Sequence, residues 1–378
     1  MIKYYLLCLF LCFCSALVAQ DWRTDFERGN YFNRKGDIGN ALRAYEVAGQ
    51  RIPRMSTDTI GYVALCDSLA GCYAAVGRYD EARDAYYIVI NLIKGNDLKT
   101  SLTYTFALDN LAGVYEAMGI YDKAAFIYRM LMNGSKRHIS VAFEIYAGYA
   151  IKLALLEGKF GRTELGCRII DSARQNIKDY VRIAPEMSFR LAIEEGSLLA
   201  EGLNYEVACD TLSAVRSRIV KMIGTDNKMY AWVNHQLGCT YFNRQMFSEA
   251  ATCLETAKSY RDKTFLNDPQ GYFTTCESLS AIRIRQRKLT DAESVLLKAL
   301  QKFENAGMTN GTNFIDLNVE LGECLAEQGL NDRAEKILLK CQTMLAAMGI
   351  AYITFPIKII PPFKIGPPIL RNQCRAKT

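Results

Sequence analysis

The amino-acid sequence predicts an all-α fold, a solenoid of about eight helix-turn-helix repeats that follow one another along most of the chain. Two bulk observations support this prediction: half of the 378 residues are hydrophobic, which is typical of a folded protein, and only eight are prolines, which favours helices. Five of these prolines lie between Pro356 and Pro368, so the rest of the chain is almost free of residues that break helices. The third and strongest observation is a motif that recurs at intervals of about 42 residues.

The motif contains a leucine followed by alanine or glycine, then an aromatic residue, a glycine, a second aromatic residue, an alanine and a third aromatic residue. The clearest copies are Leu69, Ala70, Tyr73, Gly77, Tyr79, Ala82, Tyr86 and Leu111, Ala112, Tyr115, Gly119, Tyr121, Ala124, Tyr128. Other copies contain Gly29, Gly158, Gly196, Leu237 with Gly238, Leu279, and Leu321 with Gly322. The small residue of the second helix then falls at positions 41, 82, 124, 163, 208, 250, 292 and 334. Spacings of 39 and 45 residues flank position 163, which predicts a local irregularity or kink between about Ala142 and Leu212.

Each position of the motif has a physical reason. Small residues such as Ala70 and Ala82 let the two helices of a hairpin approach closely, and Tyr73 fills the space beside their contact. Gly77 lies where the first helix must end in a left-handed residue. Polar residues near the start of the second helix suit its positive dipole end, namely Asp80, Asp122, Ser248, Asp291 and Asp332. The motif therefore predicts two closely packed helices in every repeat.

These residues resemble the tetratricopeptide repeat family over about Asp21 to Leu345, most specifically in five of the eight copies. The usual period of that family is about 34 residues, and roughly eight further residues add about one turn to each helix of a hairpin. A period of this length is typical of the long-helix, kinesin light-chain-like subset. The resemblance implies a right-handed solenoid whose concave face is formed by the first helix of each pair, here within an array at 21–348.

The resemblance also implies a binding surface on the concave face, where first-helix residues that hairpin packing does not need are candidate ligand contacts. Counted from the motif, they are Arg23, Asn30, Asn33, Asp67, Asp109, Glu116, Lys152, Arg190, Trp232, His235, Glu277, Asp316 and Glu323. Their mixed charges argue against a clamp for a ligand of one charge. Some family members bind a C-terminal carboxylate with paired lysines and asparagines, and this sequence has no matching set. The alternative for each residue is ordinary solvated surface.

Trp232 and His235 form the most testable part of this surface. They lie three residues apart and therefore share a helix face, which Phe242 extends by about two turns. An exposed aromatic cluster of this kind would anchor a peptide. The alternative is that Trp232 packs against the preceding repeat.

Charge and motif content exclude several classes of function. Lys3 contributes one unit and the C-terminal tail five units of the net charge of +6, so the stretch from Gln20 to Gly349 is neutral. A neutral array lacks the positively charged surface that binding of nucleic acid requires. The two histidines, His138 and His235, fall in different repeats, and the sequence has no nucleophile elbow, phosphate-binding loop or CxxC motif. We therefore expect no enzymatic activity, no cofactor and no bound metal.

The two ends of the chain differ from the array. Lys3, an apolar run over residues 4–19 and small residues before Gln20 predict a signal peptide at 1–19, with an uncleaved membrane anchor as the alternative. A signal peptide implies an exported protein, which in a bacterium is periplasmic or associated with the cell envelope. A Pro-rich, basic tail at 349–378 is either a docking strand or a chance reading-frame extension. Ten of the thirteen cysteines would remain after cleavage, and we expect them to pack as hydrophobic residues rather than to form disulfides.

The sequence thus predicts an exported tetratricopeptide repeat scaffold that binds a protein or peptide partner on its concave face, with no stable membrane insertion after cleavage of the signal. The alternative is a sensory input module of a signalling or regulatory system that has lost, or is separated from, its output domain.

Overall fold

The computed structural model describes residues 22–52, 59–95, 102–180, 185–309 and 311–347. Within these ranges the chain forms sixteen α-helices and no strand, arranged as eight consecutive hairpins. The first helices are α1 (Trp22–Arg34), α3 (Thr59–Ala75), α5 (Leu102–Ala117), α7 (Ile139–Lys159), α9 (Pro185–Glu201), α11 (Lys228–Asn243), α13 (Pro269–Arg285) and α15 (Thr312–Glu327). The second helices are α2 (Ile38–Arg51), α4 (Tyr79–Gly95), α6 (Tyr121–Lys136), α8 (Thr163–Ile177), α10 (Tyr205–Ile223), α12 (Phe247–Lys263), α14 (Leu289–Asn305) and α16 (Asn331–Ala347). The predicted all-α repeat solenoid is confirmed.

All eight described hairpins turn through the same left-handed corner. The corner residue has a positive φ and recurs every 41 or 42 residues, at Gly36, Gly77, Gly119, Gly161, Leu203, Gln245, Arg287 and Gly329. The N–H of the following residue donates to the carbonyl oxygen five residues before it, as from Arg78 N to Tyr73 O at 2.9 Å. This is the hydrogen bond of the Schellman motif, which ends the first helix of each hairpin.

The closest approach of the two helices in hairpin four corrects the sequence alignment. It involves Ala154 on α7 and Gly166 on α8, where an added Cβ would lie 2.7 Å from the Ala154 carbonyl oxygen. The alignment had placed Thr163 at this position, but Thr163 is the first residue of α8. With Gly166 in its place, the small residues recur every 42 residues from position 82 to position 334. The predicted irregular spacings are therefore wrong, and the one local break inside the described part of α7 is at Ala142, with φ −130° and ψ 28°.

The first compact unit extends to Ala107 and contains hairpins one and two. Trp22, Leu42, Tyr45 and Leu65 belong to its buried core. Gly29 on α1 faces the Tyr45 ring so closely that a Cβ at this position would overlap the ring. Glycine is required here because the aromatic side chain from α2 occupies the space that a side chain on α1 would need.

The second compact unit extends from Leu108 to Ala346. Its buried clusters lie between successive helices, and one of them includes Ile151 from α7, Ile170 from α8 and Leu191 from α9. By length and composition α7 is apolar enough to cross a membrane, but 44% of its most apolar stretch is buried inside the protein. Because its apolar side chains pack against α8 and α9, we interpret α7 as a core helix of the array.

The nine cysteines of the described residues are free thiols, and all except Cys167 and Cys239 are buried. Their burial fits the predicted role as small hydrophobic residues. Cys374, the predicted signal peptide at 1–19 and the basic tail at 349–378 lie outside the described residues.

Candidate functional site

The candidate residues of the first unit lie on α1 and α3. Asn30 contributes to hairpin packing, because its Oδ1 accepts a hydrogen bond from the Tyr45 hydroxyl at 2.8 Å. Arg23 and Asn33 are exposed, whereas Asp67 is half-buried. Burial raises the pKa of Asp67, and its Oδ1 is buried with no hydrogen-bond partner among the described residues. Asp67 is therefore the residue of this group that most resembles a ligand contact.

The candidates on α5 and α7 form two ion pairs between neighbouring first helices. Lys152 Nζ lies 2.5 Å from Asp109 Oδ1, and Lys159 Nζ lies 2.8 Å from Glu116 Oε2. Glu116 also accepts a hydrogen bond from the Tyr128 hydroxyl at 2.7 Å. Asp109 and Lys152 therefore satisfy each other across the repeats, and Glu116 is satisfied by Lys159 and Tyr128. Each ion pair joins residues 43 positions apart in sequence, about one repeat.

Arg190, in contrast, has an unsatisfied polar atom at the first-helix face of hairpins four to six. We use this name for the surface of α7, α9 and α11 that carries Gly148, Lys152, Arg190, Glu194 and Trp232. Arg190 Nε is buried and has no hydrogen-bond partner among the described residues. Gly148 and Trp232 occupy the same repeat position one period before and one period after Arg190. A Cβ added to Gly148 would meet nothing within 4 Å, which leaves open space on this surface.

Glu194 lies one helical turn after Arg190, and the sequence analysis did not select it. Burial raises its pKa to about 7, an effect that the positive charge of Arg190 partly opposes. The carboxyl group is therefore only partly ionised at neutral pH and is a weak counter-ion for the guanidinium group. The repeat register offers the signal that could have found it, because Glu194 occupies the position of Lys152 one repeat later.

Trp232 is half-buried and packs against the cluster that contains Phe189, Ile193 and Leu212. These contacts fit the alternative in which Trp232 packs against the preceding repeat, with part of its ring left at the surface. Phe242 packs against a different cluster, and its ring centroid lies 5.8 Å from that of Phe247. Phe242 therefore does not extend a patch formed by Trp232 and His235.

His235 belongs to a half-buried polar cluster between α11 and α13. Its Nδ1 lies 3.3 Å from Thr275 Oγ1, and its Nε2 lies 3.7 Å from Cys239 Sγ. Burial, reinforced by the charge of Arg261, lowers the pKa of His235 to about 3, and burial raises the pKa of Cys239 to about 11. At pH 7 both groups are neutral, so they do not form the thiolate–imidazolium pair of a cysteine nucleophile.

The remaining candidates lie on α13 and α15. Glu277, Asp316 and Glu323 are all half-buried. On α15 the sequence analysis missed Glu320 and Glu327, which fall at helical spacing with the two selected residues. The spacing of four carboxylates along one helix was visible in the sequence and could have identified this stripe. Among the described residues, no group of three histidine, cysteine, aspartate or glutamate side chains could hold a metal ion.

Comparison with known proteins agrees with this geometry at the level of fold. No protein-family model and no curated protein matches the sequence. The chain is similar to the crystal structure of BtubC (BKLC) from P. vanneervenii, with a TM-score of 0.50, 13% identity, and coverage of 66% of this chain and 97% of that one. It is also similar to a kinesin light chain with nearly identical TPR-like repeats from Podosopora anserina, with a TM-score of 0.47, 14% identity, and coverage of 53% and 94%. A tetratricopeptide repeat protein from Parabacteroides merdae ATCC 43184 has a TM-score of 0.46, 17% identity, and coverage of 74% and 91%.

The fold defines the chain as an all-α protein built from consecutive helical hairpins. It resembles tetratricopeptide-type repeat arrays, and its hairpins repeat at the long period of about 42 residues that the sequence predicts.

Proposed function

We propose that this protein is an exported interaction scaffold that binds a peptide or protein segment along the first-helix face of hairpins four to six. The observation that carries this proposal is the buried, unsatisfied Nε of Arg190 on α9, one repeat after the open position at Gly148 on α7. A buried N–H group without a partner costs free energy, and a ligand oxygen at this position would recover it. The neighbouring ring of Trp232 adds a partly exposed apolar surface to the same site.

The chemistry of the partner follows from this group. Arginine is always charged and offers several N–H donors in one plane, so it binds carboxylates better than neutral groups. The nearby Glu194 is only partly ionised at neutral pH and so competes weakly for the guanidinium group. An acidic side chain or a chain-terminal carboxylate of the partner is therefore the expected contact of Arg190.

Binding rather than catalysis is the activity that these residues support. The histidine that lies beside a cysteine is held neutral, and so is the cysteine. The role as a non-catalytic scaffold is part of this proposal.

Peptide display provides the test. A random peptide library selected on the folded full chain should enrich sequences that share an acidic residue or a free C-terminal carboxylate. Arg190→Gln should weaken the selected peptides roughly 10–100-fold, the usual effect of removing a hydrogen bond between charged groups. Lys221→Gln is the matched control, because Lys221 is an exposed cation on the second helix α10. Equal affinity of the wild type and Arg190→Gln for every selected peptide would refute the site.

Export is supported by the sequence of residues 1–19, with its basic start, apolar run and small residues before Gln20. Cell fractionation with and without these residues tests this part of the proposal. Recovery of both forms in the cytosol would refute it. The sensory input module remains the alternative, and a neighbouring gene segment that encodes an output domain would favour it.

A further inference from the structure

A polar groove lies in the second unit, away from the residues proposed to bind a partner. It has a volume of about 760 Å³ and is formed by the linker between hairpins five and six, the start of α11 and one side of α12. Its lining residues are Thr225, Asp226, Tyr230, Thr252, Glu255, Thr256, Ser259, Tyr260 and Lys263. This volume falls within the range of about 300–1,000 Å³ that is usual for small-molecule sites.

Short polar side chains on α12 leave room for the groove. Thr252, Thr256 and Ser259 follow one another at helical spacing along the side of α12 that lines it. The equivalent positions one repeat later carry a serine followed by two long side chains, Lys298 and Gln301. The short side chains that leave room for the groove are therefore not a fixed part of the repeat motif.

Each carboxylate that lines the groove has a cationic partner from this chain. Lys263 Nζ lies 3.2 Å from Asp226 Oδ1, and Arg283, from α13, forms an ion pair with Glu255. These partly exposed pairs contribute little stability, but together they leave the groove without net charge. The groove therefore offers no excess charge to attract a charged ligand, which fits an uncharged one.

The hydroxyl groups of the groove are both donors and acceptors. Thr252 and Thr256 donate to backbone carbonyl oxygens of α12 at 3.0 and 2.9 Å, which leaves their oxygens available as acceptors. The hydroxyls of Tyr230, Ser259 and Tyr260 make no hydrogen bond within the described residues, so they also remain available as donors. The two tyrosines also bring aromatic rings with apolar faces to the groove.

We propose that this groove is a second binding site, distinct from the first-helix face, that takes a neutral oligosaccharide. Sugar hydroxyls need donors and acceptors in close alternation, which the threonine, serine and tyrosine hydroxyls supply. Sugar rings also expose C–H groups that pack on aromatic faces, which Tyr230 and Tyr260 supply. The ion pairs of Asp226 with Lys263 and of Glu255 with Arg283 carry no net charge, which matches a ligand without charge.

The test uses the folded full chain with maltotriose, cellotriose and chitotriose as probes, by saturation-transfer NMR and calorimetric titration. At least one probe should bind the wild type. The double variant Tyr230→Phe and Tyr260→Phe, which removes two hydroxyls but keeps both rings, should weaken that probe roughly tenfold. Ser259→Leu should fill the groove and abolish the signal.

Ser294→Leu is the matched control, because Ser294 is an exposed residue one repeat after Thr252 and lies outside the groove. It should bind the probe as the wild type does, and so should Arg190→Gln, because the two sites are independent. Absence of binding of all three probes to the wild type at millimolar concentration would overturn the proposal. Unchanged binding in Ser259→Leu and in the tyrosine double variant would overturn it as well.

Discussion

Hairpins four and six form the same helical pair from two different sequences. In hairpin four the first helix contributes Ala154 and the second contributes Gly166 at their closest approach, whereas in hairpin six the order is Gly238 and then Ala250. The corner residue is Gly161 in the former and Gln245 in the latter, with φ of 74° and 61°. The backbone therefore needs a small total volume at the contact and a left-handed residue at the corner, but neither requires one particular amino acid.

The residue beside this contact also differs between the two hairpins. Hairpin six has Tyr241, and hairpin four has Glu157 at the same repeat position, with an exposure of 1%. Arg162 Nε lies 2.8 Å from one carboxylate oxygen of Glu157, and Arg129 Nη2 lies 3.4 Å from the other. Two arginines from neighbouring segments thus stabilise the buried carboxylate of Glu157 at the repeat position that Tyr241 occupies in hairpin six. Because of this substitution, hairpin four lacks one of the aromatic residues of the motif, and its register was misplaced by three residues.

The largest expected effect comes from closing the helix contact of hairpin four. Gly166→Ala places a Cβ 2.7 Å from a backbone oxygen, which cannot turn away, and should reduce the free energy of unfolding by about 2–3 kcal/mol. Gly238→Ala in hairpin six should cost about 1 kcal/mol, because its closest neighbour at 2.6 Å is the Leu254 side chain. Chemical denaturation followed by circular dichroism measures both.

Gly148→Ala is the control for this pair, because a Cβ at Gly148 meets nothing within 4 Å. Alanine is the better helix former, so this variant should gain about 0.5–1 kcal/mol. An equal loss of stability in Gly166→Ala and Gly238→Ala would show that the backbone and side-chain contacts are equivalent, contrary to our interpretation.

The second expected effect distinguishes the histidines of these hairpins. His138 precedes α7 and is exposed, whereas His235 on α11 has a pKa lowered to about 3 by burial and by Arg261. A histidine with a lowered pKa in the folded state contributes stability above its unfolded pKa of about 6.5 and loses it as the pH falls toward the folded value. Between pH 6.5 and pH 4.5 the wild type should lose up to about 1.4 kcal/mol per pH unit from this residue.

Denaturation midpoints measured across this pH range provide the check. Because Glu194 titrates in the same window in both proteins, the test is the difference between wild type and His235→Gln, which should change by up to about 1.4 kcal/mol per pH unit. His138→Gln, which replaces an exposed histidine, is the control substitution. A pH profile that is the same in wild type and His235→Gln would mean that His235 is protonated in the folded protein.

The smallest expected effect concerns the corners. An L-residue in the left-handed region costs about 1–2 kcal/mol, and glycine removes that cost but adds entropy to the unfolded chain. Gln245→Gly should therefore stabilise the protein by about 0.5 kcal/mol, and Gly161→Ala should destabilise it by about 1 kcal/mol. Nothing lies within 4 Å of a Cβ at Gly161, so the effect there is conformational. Thermal midpoints of the two variants should move in opposite directions, and a shift in the same direction would contradict the shared corner geometry.

Most of the fold could be predicted from the sequence because the signals of a hairpin are local. The corner and the small residues at the helix contact lie within about twenty positions of one another, and the glycine corners at Gly77, Gly119 and Gly329 were visible directly. The sequence alignment failed at Thr163 because hairpin four has Glu157, Thr163 and Ile170 at the three positions where aromatic residues mark the clearest copies. Only the packing of Gly166 against Ala154 restored the register of 42 residues.

The candidate site was predicted less completely, because its contacts join residues one repeat apart. The sequence selected Arg190 and Lys152 alike as first-helix residues. It did not show that Lys152 pairs with Asp109 while Arg190 Nε has no partner among the described residues. Nor did it show the raised pKa of Glu194 or the neutral state of His235, since both depend on burial by neighbouring helices.

By itself, the sequence determined an all-α array of eight long-period tetratricopeptide-type repeats, because helix periodicity, corner residues and small contact residues are set within each hairpin. The tertiary structure decided which side chains of those repeats have hydrogen-bond partners, which titratable groups are uncharged at neutral pH, and which side chains a ligand could contact. Stacking brings together residues about 42 positions apart, as in the ion pair of Asp109 and Lys152, and leaves Arg190 Nε without a partner among the described residues. Packing within hairpin six and its preceding linker forms the hydroxyl-lined groove beside α12.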